Sequence, residues 1–199
     1  MSSRELRSKA WNQLKGRYWM VFVVVLIYFA ISGASYPLIV GLVVVGPLTV
    51  GLSYYLIDIV ESDSKGDQFE LLIEGFKKSL ATSIIANLLV MIFTFLWFLL
   101  FIIPGIIKSL AYSMTPYIIA DNPDIEPMDA IDKSREMMHG NKMRLFFLYF
   151  SFIGWFLLSA LTLGVGFIFL MPYIQTTVAN FYVDLRGSKK VLVADFSEN

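Results

Sequence analysis

The chain has no cysteine and only one histidine among its 199 residues. Without cysteine there is no disulfide framework, no thiolate zinc site and no cysteine nucleophile. With His139 alone, one chain cannot assemble a histidine metal site or a Ser-His-Asp triad, and its charged surroundings mark it as a solvated surface group. Charge is scarce: 16% of residues carry one, against about 25% in an average soluble domain. Sixteen basic residues cancel sixteen acidic ones, so no net field points to nucleic acid. The phosphate-binding loop, the zinc-protease motif and the nucleophile elbow are all missing. These absences leave no catalytic constellation and no cofactor site, and the chain is read as a non-enzyme.

What is present is apolar length. Hydrophobic residues make up 57% of the chain and the mean hydropathy is +0.66. Residues 18–57, 79–107, 109–120 and 145–183 contain no Asp, Glu, Lys or Arg. A helix needs about 20 apolar residues to cross the hydrocarbon core, so the first and last runs each hold two crossings. The 79–120 stretch, interrupted only by Lys108, holds two more. Helix breakers sit mid-run at Ser32-Gly33-Ala34-Ser35-Tyr36-Pro37, at Pro104-Gly105 and at Leu163-Gly164-Val165-Gly166. The expected fold is all-α and polytopic, with six transmembrane helices at 18–33, 37–59, 79–103, 105–120, 144–163 and 166–184, paired as three hairpins. One membrane domain covers 1–186, followed by a short polar cytoplasmic tail over 187–199.

Fifteen of the sixteen Lys and Arg fall in 1–17, 61–78, 133–144 and 186–190, all on one side of that weave. The positive-inside rule makes that side, with both termini, cytoplasmic. The basic flank and apolar run at the N-terminus resemble a cleavable signal peptide, but the flank is long and helix-patterned, so the first helix is expected to be retained. Lys108 is the exception to the charge bias. It is expected about one turn into the fourth helix from the outer face, with its stem snorkelling to headgroups; a pore or ligand role is the alternative.

The segment before each hairpin is amphipathic. Leu6, Ala10, Leu14 and Tyr18 align, as do Phe69, Leu72, Ile73 and Phe76, and more weakly Met128, Ile131, Ser134 and Met138. Such helices are expected at 67–77 and 127–139, lying in the membrane interface with the apolar face down. Gly16, Gly75 and Gly140 close the three segments, and Asp58, Asp121 and Asp184 close the three hairpins at intervals of 63 residues. Tyr54 and Tyr117 each precede their Asp by four residues. The pattern points to a threefold internal repeat.

Further motifs carry a resemblance: Ile103-Pro104-Gly105-Ile106-Ile107-Lys108, Tyr117-Ile118-Ile119-Ala120-Asp121-Asn122-Pro123, the run Ala130-Ile131-Asp132-Lys133-Ser134-Arg135-Glu136 leading to Gly140, then Ser151-Phe152-Ile153-Gly154-Trp155 and Pro172-Tyr173. Over about residues 4–186 the chain resembles a family of Gram-positive bacterial integral membrane proteins known as domain of unknown function nine-seven-five. The central motif is also similar to the membrane domain fused to some glycerophosphodiester phosphodiesterases, a domain without catalytic residues. The resemblance implies six helices in a bacterial plasma membrane and no reaction.

Two sets of residues are candidates for function. Asp58, Asp121 and Asp184 either reach interfacial water and cap the next segment, or converge on a shared site for a cation, basic headgroup or partner. Lys108, Ser109, Ser113, Gln175 and Asn180 either hydrogen-bond helix to helix or line a polar cavity between repeats. The spacings Asp121/Asp124 and Asp129/Asp132 read as caps and solvated faces in preference to a divalent-ion site, so no metal is expected. The expectation is a non-enzymatic scaffold, accessory or envelope-stress protein whose partners are membrane lipids and another membrane protein or transporter subunit, not nucleic acid. The alternative is a small transporter or channel for a solute, peptide or lipid.

Overall fold

The computed structural model describes residues 1–35, 40–62, 66–162 and 164–197. Among these residues there are eleven helices and no strands. The N-terminal helix α1 (Ser3–Leu14) opens with a capping box: Ser2 Oγ accepts from the Glu5 amide at 3.3 Å, and the Glu5 carboxylate accepts from the Ser2 amide at 2.7 Å. The backbone bond to Ser2, then its hydroxyl, hold the Glu5 carboxyl below its usual range. Gly16 follows at φ +85°, a conformation that favours glycine, and α2 (Tyr18–Ser35) leaves α1 at 103°. The helix α3 (Val40–Glu61) completes the first hairpin. Its expected turn includes Tyr36 and Pro37, which lie outside the described residues.

The second unit comprises α4 (Leu71–Lys78), α5 (Leu80–Leu100), α6 (Ile102–Tyr112) and α7 (Thr115–Asp121). Here the turn falls at Phe101, in extended geometry, three residues before the expected Pro104. Pro104 and Gly105 instead lie in the first turn of α6, where a missing N–H costs no intrahelical bond. A Cβ at position 105 would meet the Phe98 ring at 2.6 Å, so glycine there permits the close return of α6 on α5.

The third unit holds α8 (Pro127–Met137), α9 (Lys142–Phe150), α10 (Ile153–Leu161) and α11 (Val165–Ser197). Helicity therefore continues through much of the expected C-terminal tail. Gly164 turns the chain at φ +89°, and the Gly166 amide donates to Thr162 Oγ1 at 3.0 Å.

Among the described residues, four helical stretches are long and apolar enough to cross a membrane: 43–61, 80–100, 102–121 and 142–161; the bent α1–α2 pair makes a fifth if taken as one span. The helix α5 turns outward so completely that 11% of its apolar stretch is buried, against 61% for α3. In a soluble protein so large an apolar face would aggregate; against lipid it is the expected surface.

The core lies where α3, α7 and α11 meet. Tyr55, Met114, Ile119, Phe181 and Tyr182 are almost wholly buried there, and the Tyr117 and Tyr182 rings stack 5.3 Å apart. The amphipathic helices dock on this core, not on the membrane surface alone. The helix α4 crosses α3 at backbone contact: a Cβ on Gly51 would lie 2.0 Å from the Leu72 carbonyl oxygen, and one on Gly75 2.0 Å from the Pro47 carbonyl oxygen. Leu72 is buried in that crossing while Ile73 stays outside, so the expected four-residue stripe is split. The helix α8 docks where α6 gives way to α7: Ser134 Oγ accepts from the Met114 amide at 3.2 Å and donates to the Ala111 carbonyl at 2.8 Å. Pro116 has no amide hydrogen to close that stretch, and Ser134 bonds backbone groups beside it. The helix α1 docks on α11, with Tyr173 Oη donating to the Arg7 carbonyl at 3.2 Å and Asn180 Nδ2 to Gln13 Oε1 at 2.5 Å.

Candidate functional site

At the ends of the long helices three polar clusters form, one for each expected carboxylate. Asp121 accepts from Tyr182 Oη and from Arg186 Nη1, both at 2.6 Å, and the same guanidinium pairs with Glu61 at the end of α3. One arginine of α11 thus ties together the ends of α3 and α7. Asp184 accepts from Arg144 Nη2 at 2.8 Å and from the N-terminal ammonium at 3.2 Å, joining α11, α9 and the start of α1. Asp58 accepts from Ser62 Oγ at 2.8 Å within its own chain segment. Each carboxylate therefore has partners of its own. Among the described residues no group of three or more His, Asp or Glu is arranged to hold a metal ion.

Arg186, Glu61, Tyr182 and Arg144 were absent from the sequence-derived candidates. Arg186 and Glu61 look like ordinary cytoplasmic charges flanking helices. The signal that could have singled them out is their position, Glu61 three residues after Asp58 and Arg186 two after Asp184.

The expected polar cavity is distributed over separate places. Ser109 and Ser113 donate back to the Ile106 and Leu110 carbonyls, at 2.9 and 2.8 Å, which is the ordinary way a helix absorbs a hydroxyl. They line a shallow recess with Thr94 and Phe98. Asn180 is buried against Gln13 and the Thr176 carbonyl. Gln175 lines neither that recess nor the one around Lys108.

Lys108 departs from its expected placement. Its ammonium sits 4.6 Å above the Trp97 ring, and it lines a recess with Asp132 and Arg135 of α8. The sequence reading put Lys108 and α8 at opposite faces of the membrane, whereas the fold brings them to one recess. The cause is the depth at which α8 docks, seven residues before Asp121 at Met114. The pair Asp129/Asp132 serves local roles, with Asp132 accepting from Arg135 at 2.6 Å. On α4, Lys78 lies 2.8 Å from Glu74, and that contact holds the Glu74 carboxyl below its usual range.

Two further cavities lie among the helices. A polar recess between α3, α5 and α7, lined by Thr49, Ser83, Asn87 and Thr115, encloses about 50 Å³. A larger groove of about 510 Å³ opens sideways between α1–α2, α10 and α11 and is almost entirely apolar.

The recess at Lys108, the Ser134 splice and the Asp121–Arg186 cluster share one stretch of sequence. Residues 98–189 match the family model described as protein of unknown function, DUF975. This is the uncharacterised family named by the resemblance, and the DUF975 match runs from the end of α5 into α11. No curated protein and no solved structure matches the chain.

Proposed function

We propose that the protein is a non-enzymatic, six-crossing component of a bacterial plasma membrane that acts as a scaffold or accessory subunit, with both termini in the cytoplasm. The observation that carries this reading is the division between a closed centre and open flanks. At the centre, Tyr117 of α7 stacks on Tyr182 of α11 beside the buried Tyr55 of α3, and Arg186 bridges the ends of α3 and α7. On the flanks, α5, α6 and α10 present large apolar side chains outward, including Leu99, Phe101, Ile103 and Leu161. Surfaces of that kind meet lipid or another membrane helix.

The pseudo-threefold arrangement draws support from how the amphipathic helices dock. Gly51, Met114 and Thr177 each precede a repeat-final Asp by seven residues. The contacts to α4, α8 and α1 fall at 47–51, at 111–114 and at 173–180, so each amphipathic helix meets the second helix of the preceding unit at the same height. The third unit precedes the first in this ring.

Transport is the second reading and rests on the prolines inside α3 and α11, Pro47 and Pro172, and on Pro116 at the start of α7. Against it, the polar recess beside Pro116 has room for only a few waters at about 10–15 Å³ each. The test is purification of the full chain in mild detergent, followed by reconstitution. Recovery of a stoichiometric membrane-protein partner supports the accessory reading. Selective solute flux through vesicles containing the chain alone would overturn it in favour of transport.

A further inference from the structure

We propose that the groove between α1–α2, α10 and α11 holds one acyl chain of an anionic glycerophospholipid whose headgroup lies at the α1 end. This inference rests on the membrane-embedded reading above, with α1 at the cytoplasmic interface. The groove encloses about 510 Å³, within the range of about 300–1,000 Å³ typical of small-ligand sites. Trp11, Tyr18, Trp155, Phe169 and Tyr173 supply most of its wall. Along α11 it runs from Gly166 to Tyr173, and along α10 from Trp155 to Thr162, about 10 Å of helix in each case.

Three hydroxyls of the wall are committed to the protein. Tyr18 Oη donates to the Phe169 carbonyl and Tyr173 Oη to the Arg7 carbonyl. Thr162 Oγ1 donates to the Ser159 carbonyl at 2.8 Å and accepts from the Gly166 amide. What faces the groove is mostly ring and aliphatic surface, which suits a hydrocarbon better than a polar solute.

One end of the groove fixes which lipid. Trp11 and Tyr173, in edge-to-face contact at 5.9 Å, form that end on α1. Arg4, Arg7 and Lys15 stand seven and four residues before Trp11 and four after it, on the same side of the helix. Arg4 and Lys15 are exposed. The residues lining the groove include no acid. An interfacial helix with aromatic rings at the mouth and exposed cations beside them matches a lipid phosphate with additional negative charge.

The test uses the full chain, extracted from membranes, delipidated in detergent and titrated with palmitoyl-oleoyl phosphatidylglycerol or the matching phosphatidylcholine under native mass spectrometry. One phosphatidylglycerol per chain is expected to persist, at a concentration at least tenfold below that needed for phosphatidylcholine. Leu158→Trp fills the groove from a half-exposed position and should weaken retention tenfold or more. Leu157→Trp, on a residue outside the lining, should leave it unchanged. Joint Arg4→Gln and Lys15→Gln replacement should abolish the preference for phosphatidylglycerol while hydrocarbon binding survives. A photo-crosslinking residue at position 158 should capture lipid in cells; capture of a polypeptide would overturn the proposal. Equal retention by Leu158→Trp and Leu157→Trp, or equal retention of the two lipids by the unmodified chain, would also overturn it. If alkaline carbonate released the chain from membranes, the embedded reading would fail and this inference with it. A chain that stays embedded yet retains no lipid defeats the inference alone.

Discussion

Arg186 is the residue that ties α11 to the ends of α3 and α7. It faces two carboxylates from two other helices, Glu61 and Asp121, and is about one quarter exposed. Fully exposed pairs contribute roughly 0–1 kcal/mol and breaking a buried one costs about 3–5 kcal/mol, so Arg186→Gln should cost about 1–2 kcal/mol. Thermal unfolding in detergent measures this, and Arg186→Lys should recover only part of the loss because an ammonium cannot fork to both acids. If Arg186→Gln melts with the unmodified protein, the bridge is incidental. Gly75 makes a sharper case. Any Cβ there collides with the Pro47 carbonyl, a backbone atom that cannot swing aside. Gly75→Ala should therefore destabilise by at least the roughly 1–3 kcal/mol typical of overpacking and separate α4 from α3. Limited proteolysis between α3 and α4 reads the separation; unchanged cleavage and melting would contradict the crossing.

At the scale of elements, the periodicity of the sequence anticipated the amphipathic helices but not where they rest. Leu6, Ala10 and Leu14 are buried as their spacing predicts, and so are Ile131, Ser134 and Met138. What spacing cannot show is whether an apolar stripe covers lipid or protein, because both reward the same side chains. The information that decided it lies in small residues: Gly51, Gly75 and Ser134 permit or make backbone contacts that no hydrophobic pattern records. The same limit explains Lys108, whose linear distance from a turn says nothing of the helix that later packs beside it. The long apolar helices were legible because charge-free runs signal them directly, and the turn at Phe101 falls about one helical turn before the expected Pro104 because proline suits a helix start.

The docking height has a consequence for the bilayer. Thirteen residues separate Met114 from the turn at Phe101, about 20 Å of helix, whereas a hydrocarbon core is about 30 Å thick. The outer face of α8 carries Asp129, Lys133 and Arg135, which cannot enter hydrocarbon without cost. If the second hairpin crosses as proposed, the membrane thins beside α8. The protein should melt at higher temperature in bilayers of short-chain lipids than in long-chain ones. Equal melting across chain lengths would place α8 outside the membrane boundary assumed for it.

For the whole molecule, the account stands on one claim: the three hairpins cross the membrane and leave the amphipathic helices and both termini in the cytoplasm. The chain has no cysteine, so a single introduced thiol reports its own side without background. Phe101→Cys and Leu161→Cys place thiols at the tips of the second and third hairpins, at positions that are 71% and 81% exposed. Gln68→Cys places one between α3 and α4. On intact cells, a membrane-impermeant thiol reagent should label positions 101 and 161 and leave 68 untouched until the membrane is permeabilised. Labelling at 68 with protection at 101 and 161 would invert the orientation, and protection of 101 alone would mean that the second hairpin enters the bilayer and returns without crossing.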